Sequence, residues 1–412
     1  MIKKIKSVFN RASIPIVEIF SKAISFVNIL LLIRVVNIYE YADYSYALAI
    51  VLWTSILMDG GINNYIYNKC LNREKEGINQ LYTARFFLSI IVITALGLFF
   101  YITNPDFYIV ITLLSVIIYF TSTSSLIKML SRGLGYSKVD LLSIVLEPLL
   151  KLILLTIIYF TKDYFSYNLI IVLTLYLLAS VVAFILNKKY LSTYFSLKVL
   201  YGQTKDILQL INKALTQSKY YLLYFLMFIG IMRMDFVFIE KFAAKTELAI
   251  FSSAFSIYQV AQLFFFSIIT SQFLKIVKNT YKSLGFIFSL IVLIGIFISA
   301  LSPFVYEILF PEEYESGQKA LRYLVFALIP SVFVFFMITR NNYLNKTKRN
   351  FIALLIVFII KITVYSVVQS SSIYFYCTVI GIIETIALIF LITDYYFILK
   401  TDKTIRNKVN DL

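Results

Sequence analysis

The sequence predicts an all-α polytopic membrane protein, with twelve spans arranged as two lobes of six helices. Three observations predict it. Apolar residues make up 60% of the 412 positions and charged residues 15%, with mean hydropathy +0.84, whereas a soluble domain is nearer half apolar and a quarter charged. The apolar residues form continuous runs of about 20, the length that crosses a hydrocarbon core as a helix; barrel strands would alternate instead. Charges alternate from loop to loop, and the longest hydrophilic stretch, Asn187 to Ile211, falls midway along the chain.

The elements follow in order from apolar runs punctuated by polar loops. A basic N-terminus (Lys3, Lys4, Lys6, Arg11) precedes the first helix, 13–36. It resembles a signal peptide, but the run continues to Val36 without a small-residue cleavage site, so it reads as a retained span. The second helix, 43–67, ends at Lys69, Arg73 and Lys75; the third, 81–103, has Arg85 just inside it and runs to Asp106. The fourth, 106–127, stops at Lys128, Arg132 and Lys138, the fifth, 139–160, before Asp163, and the sixth, 167–187, at Lys188 and Lys189. In the second half come 215–240, 248–274, 284–306, 319–339, 350–369 and 373–398. Their loops alternate between cations (Lys275, Lys278, Lys282; Arg340, Lys346, Lys348, Arg349) and acids (Glu307, Glu312, Glu313, Glu315), the short uncharged loop Ser370–Ser372 excepted. By the positive-inside rule both termini are cytoplasmic. Most of the +16 net charge is therefore an orientation signal and not a nucleic-acid footprint.

What is missing narrows the chemistry. There is no histidine, which removes imidazole catalysis and proton relays. Two cysteines, Cys70 and Cys377, offer neither a disulfide framework nor a zinc site. Twelve glycines form no phosphate-binding loop, so ATP-driven transport would need another subunit, and no cofactor is expected. No outward loop exceeds about twenty residues, which leaves no room for an extracytoplasmic catalytic domain.

The expected organisation is an N-terminal lobe at 1–190, a cytoplasmic linker at 191–211 and a C-terminal lobe at 212–412. Val199, Ile207, Leu208 and Ile211 mark an amphipathic surface helix in the linker. A faint repeat relates the lobes: a shift of 207 pairs Arg34 with Lys241, and one of 210 pairs Lys138 with Lys348 and Lys151 with Lys361. Parallel repeats related by an axis along the membrane normal place a substrate site between them.

Charges inside spans are candidate functional groups, since each costs about 2.5–3.5 kcal/mol at a helix centre. Glu18 and Lys22 share a face of the first helix, near Asn28, and Glu147 and Lys151 share a face of the fifth beside Pro148. Arg233 and Asp235 lie in the seventh helix, Gln259 and Gln262 in the eighth, Lys361 in the eleventh and Glu384 in the twelfth. Glu147 and Lys151 can simply neutralise one another, and Glu384 can partner Lys361. Lys22 and Arg233, one from each half, are suited to gripping an anionic group. Arg34, Asp59 and Glu240 lie near helix ends, where snorkelling explains them.

The run from Arg34 through Glu40-Tyr41-Ala42-Asp43-Tyr44 to Ala47, with Asp59-Gly60-Gly61, then Arg233-Met234-Asp235, Glu247 to Ala254, and Leu344 to Arg349, resembles the Wzx-type O-antigen flippases of the multidrug/oligosaccharidyl-lipid/polysaccharide (MOP) exporter superfamily. Ala42 and Ala249 stand where that family usually has glycine, and the proline common before the seventh helix is missing near Ala214. The resemblance implies a MATE-like fold of two lobes around a central cavity. It further implies alternating access, coupled to H+ or Na+, that moves an undecaprenyl-pyrophosphate-linked oligosaccharide from the cytoplasmic to the periplasmic leaflet of a bacterial inner membrane. Lys22 and Arg233 would hold the diphosphate, with Lys151 and Lys361 as further cations; Asn28, Gln259 and Gln262 would contact sugar hydroxyls; Glu18, Asp235 or Glu147 would carry the coupling ion. Implied partners besides that substrate and membrane lipids are a polysaccharide polymerase and a chain-length regulator. The alternatives are a cation-coupled multidrug exporter of the same superfamily and a membrane glycan polymerase or glycosyltransferase.

Overall fold

The computed structural model describes residues 2–63, 65–66, 78–134, 137–165, 167–189, 204–278, 280–344 and 346–401. Among the described residues there are twelve long helices and one 3-10 turn, Glu312–Tyr314. The helices are α1 (Ile2–Val35), α2 (Ile38–Asp59), α3 (Ile78–Thr103), α4 (Tyr108–Leu134), α5 (Ser137–Thr161) and α6 (Leu169–Lys189). They continue as α7 (Thr204–Phe242), α8 (Lys245–Lys278), α9 (Thr280–Leu309), α10 (Gly317–Tyr343), α11 (Thr347–Val368) and α12 (Ile373–Thr401). Ten of these are long and apolar enough to cross a membrane. The other two are α1, which carries Glu18, Lys22 and Arg34, and α2, which opens on Glu40 and Asp43.

Two compact units emerge, Met1–Ile229 and Gly230–Leu412, with the boundary inside α7. Most of the expected linker, together with Val199, lies outside the described residues. Ile207, Leu208 and Ile211 belong to the first turns of α7 itself rather than to a separate surface helix.

Within the first unit α1 runs along α5, and α4 touches α2, α3, α5 and α6. Within the second, α10 touches α8, α9, α11 and α12. The fourth helix of each set of six is thus the hub of its unit. Among the ten apolar spans the third helix of each set is the least buried: only 11% of the apolar window of α3 and 17% of that of α9 is buried, and side chains such as Ile91, Phe99, Leu293 and Phe297 point outward. With no water in a hydrocarbon core, helices are the structures whose backbone satisfies itself.

Polar residues set the local breaks. Asn37 caps α2 through a reciprocal capping box with Glu40, which satisfies two orphan backbone donors. The helix was expected to run to 67 but stops at Asp59, because Gly60 and Gly61 take φ of +59° and +73°, a conformation glycine adopts without steric penalty. Ser218 Oγ donates to the freed Gly60 carbonyl at 2.8 Å. At Pro148 in α5 the missing N–H strands the carbonyl of Ile144, four residues back. Ser21 Oγ of α1 donates to that carbonyl at 2.8 Å, and Asn28 Nδ2 donates to Pro148 O at 3.0 Å. The proline thereby becomes a docking point for α1.

Candidate functional site

Each unit buries charge, in different ways. In the first, Glu147 and Lys151 are one turn apart on α5, on one face by helical spacing. Lys151 Nζ donates to Glu147 Oε1 at 2.6 Å. The same oxygen accepts from Thr121 Oγ1 of α4 at 2.5 Å and from Ser180 Oγ of α6 at 2.9 Å. The ammonium also lies 5.4 Å from the ring centre of Tyr176. Three helices thus close around a neutral pair.

A buried cation of this unit escaped the sequence reading. Arg85, grouped there with the cytoplasmic loop charges, is only 1% exposed. Its Nε donates to Asp59 Oδ1 at 3.1 Å, Nη1 to Thr123 Oγ1 at 2.8 Å and Nη2 to Ser122 Oγ at 2.7 Å. Asp59, with its side chain 18% exposed, is a half-buried partner and not a snorkelling end group. The cue in the sequence was the hydroxyl run Thr121 to Ser125, which offers oxygens to a guanidinium whose five donors need them.

The remaining expected residues of this unit lie on α1. Lys22 is exposed, Glu18 is partly exposed and Asn28 is buried. The amide nitrogen of Asn28 is occupied by Pro148 O, while its Oδ1 accepts no hydrogen bond among the described residues.

In the second unit the acid and the base come from different helices. Lys361 of α11 and Asp235 of α7 are each 1% exposed and meet at 2.8 Å through Nζ and Oδ2. Lys361 also donates to the carbonyl of Ile231, and Tyr365 OH donates to Asp235 Oδ1. A small cavity of about 10 Å³ adjoins the pair, lined among others by Tyr258, Gln262 and Glu384, with room for about one water molecule. Gln262 Nε2 is bonded to Ser331 Oγ of α10, whereas its Oε1 is buried with no partner among the described residues. The salt bridge of Lys361 is therefore to Asp235, and Glu384, read from the sequence as its partner, lines the cavity beside it. Removing either member would strand a charge, which is why such pairs are costly to break even where they add little net stability.

Arg233 sits two residues before Asp235 and is 9% exposed. Its guanidinium carbon is 5.6 Å from the ring centre of Phe236 and 5.4 Å from that of Phe255, so two ring faces hold the charge in place. Gln259 is half-buried on α8. Of the expected residues, the structure brings together Glu147 with Lys151, and Asp235 with Lys361 and Gln262.

A family model described as polysaccharide biosynthesis protein matches residues 8–273. No curated protein matches the sequence at a significant level. Among solved structures, an inward-facing multidrug resistance MATE family transporter of the MOP superfamily is similar with TM-score 0.67 and 15% identity, over 94% of this chain and 96% of that one. Lipid II flippase MurJ in an inward closed conformation is similar with TM-score 0.66 and 14% identity, over 93% and 87%. An outward-facing MATE family transporter gives TM-score 0.58 and 14% identity, over 98% and 96%. At these identities the structures speak for the fold alone, the MATE-like MOP fold of twelve helices. The family model spans well over half of the sequence, and the chain belongs to the polysaccharide biosynthesis protein family.

Proposed function

We propose that the chain is a flippase that moves an undecaprenyl-pyrophosphate-linked oligosaccharide, an O-antigen or related repeat unit, from the cytoplasmic to the periplasmic leaflet by alternating access. The observation that carries this reading, beside the family, is Arg233. Its charge is buried beside the touching rings of Phe236 and Phe255, next to an aspartate whose carboxylate is already committed to Lys361 and Tyr365. A fixed guanidinium suits a diphosphate oxygen, because charge-assisted bonds from arginine to phosphate are short and strong. Lys22 of α1 is the second cation for that group. Lys151 and Lys361 are committed to carboxylates, and they serve the substrate indirectly by keeping Glu147 and Asp235 from cancelling the cationic grip. Gln259 supplies an amide for sugar hydroxyls, and Asn28 and Gln262, whose nitrogens are engaged by Pro148 O and Ser331 Oγ, supply their oxygens.

Coupling to H+ or Na+ is assigned to the Asp235–Lys361–Glu384 cluster, where Asp235 holds the ammonium and Glu384 lines the same water-sized space. Glu147 Oε1 already accepts from Lys151, Thr121 and Ser180, and Glu18 is the remaining candidate. The loop charges support a cytoplasmic-membrane location with both termini inside, and a polymerase and a chain-length regulator are the expected downstream partners.

The test is a strain lacking the chain, complemented by variants. Lipid-linked repeat units should accumulate on the cytoplasmic leaflet and surface polysaccharide should vanish. Lys22→Ala and Arg233→Ala should each fail to restore export at normal protein abundance, and full export by both removes the site assignment. If surface glycan is unchanged and only drug sensitivity rises, the multidrug-exporter reading replaces this one.

A further inference from the structure

A second feature of the Gly230–Leu412 unit lies on its outer surface, away from the buried charges. α11 and α12 leave between them a groove of about 620 Å³, within the size range of small-molecule sites. Its walls are Ile352, Ile356 and Phe390, which are 45%, 40% and 37% exposed, so the groove opens toward lipid. At one end, where α11 begins, stand Lys348 and Arg349. Arg349 Nη1 is anchored to Asp394 Oδ1 of α12 at 2.9 Å, which leaves the mouth with two cations and one carboxylate.

We propose that this groove is a binding site for a singly charged anionic phospholipid, with its phosphodiester at Lys348 and Arg349 and an acyl chain along Ile352, Ile356 and Phe390. Charge complementarity selects the occupant. Basic pockets between membrane helices take up anionic headgroups, and one surplus positive charge matches one phosphodiester. The diphosphate of a polyprenyl-linked glycan carries more negative charge than this mouth can balance, and Asp394 repels the excess. The site is distinct from the substrate grip proposed at Lys22 and Arg233, and it stands or falls independently of it.

The experiment uses the full chain, purified in detergent and mixed with equal amounts of phosphatidylglycerol and phosphatidylcholine, with retained lipid counted by native mass spectrometry. The wild-type protein should retain phosphatidylglycerol over phosphatidylcholine. Lys348→Ala should weaken that retention by about fivefold, the worth of one basic residue at a lipid surface, and Lys348→Arg should restore it. Ala353→Phe, which fills the groove floor and leaves the charges in place, should reduce retention of both lipids. Lys348 is exposed, so its replacement leaves the fold intact. Equal retention of the two lipids by the wild type, or unchanged retention by Lys348→Ala or Ala353→Phe, overturns the proposal. So does displacement of phosphatidylglycerol by an equal amount of undecaprenyl pyrophosphate, which would give the groove to the cargo.

Discussion

The two units solve the same problem, an ammonium within an apolar helix, with opposite strategies; Lys151 is 16% exposed and Lys361 1%. Lys151 in α5 finds its carboxylate one turn away, on its own helix, and the neighbouring helices contribute hydroxyls and the ring of Tyr176 but no charge. Lys361 in α11 reaches across to Asp235 in α7, 126 residues away in sequence, and a second acid, Glu384, lines the adjoining cavity. The first pair is part of one helix and would survive movement of its neighbours. The second exists only while α7 and α11 stay together. An interhelical pair is thus a lock whose opening exposes charge, whereas an intrahelical pair is permanent neutralisation.

The sharpest way to break this contrast is to delete each lysine. Lys361→Met leaves Asp235 without its ammonium and should cost about 3–5 kcal/mol, the usual penalty for stranding one member of a buried pair, read as a large fall in melting temperature in detergent. Asp235→Asn combined with Lys361→Met should recover most of that loss, since neutralising both partners leaves no isolated charge. If the double variant is as unstable as the single, the pair is not the unit that matters.

Lys151→Met should cost less, about 1–3 kcal/mol, because Thr121 and Ser180 still donate to Glu147. The same thermal series checks it, and an effect equal to that of Lys361→Met would erase the distinction between the units. Below that, Ser180→Ala should cost about 1 kcal/mol, one hydrogen bond. Glu384→Gln should change stability least of all, yet alter the dependence of transport on proton or sodium gradients in proteoliposomes. Unchanged gradient dependence would move the coupling site elsewhere, with Glu18 next in line.

How much of this was legible in the sequence follows the same division. Twelve apolar runs and the Glu147–Lys151 spacing could be read directly, because hydrophobic length and i,i+4 geometry are local. The end of α2 at Gly60–Gly61 was misplaced, although two consecutive glycines carry a conformational signal that hydropathy ignores. Glu384 was one partner that the sequence offered for Lys361, whereas the salt bridge is to Asp235 in α7, and nothing local in a sequence encodes a contact over such a distance. Arg85 was lost for a related reason. Its nearness to a basic loop suggested an exposed charge, and only packing against Asp59 and the hydroxyls of α4 shows otherwise.

The separation of Asp235 from Lys361 also bears on how the chain is made. At a translation rate of about 5–20 residues per second, the 126 residues between them take roughly 6–25 s to synthesise. Throughout that interval α7 exists with its aspartate but without the lysine that will neutralise it. Glu147 waits for Lys151 less than a second. The first unit can therefore settle into the bilayer helix by helix as it emerges, while the second needs the translocon or a companion factor to shelter α7 until α11 arrives.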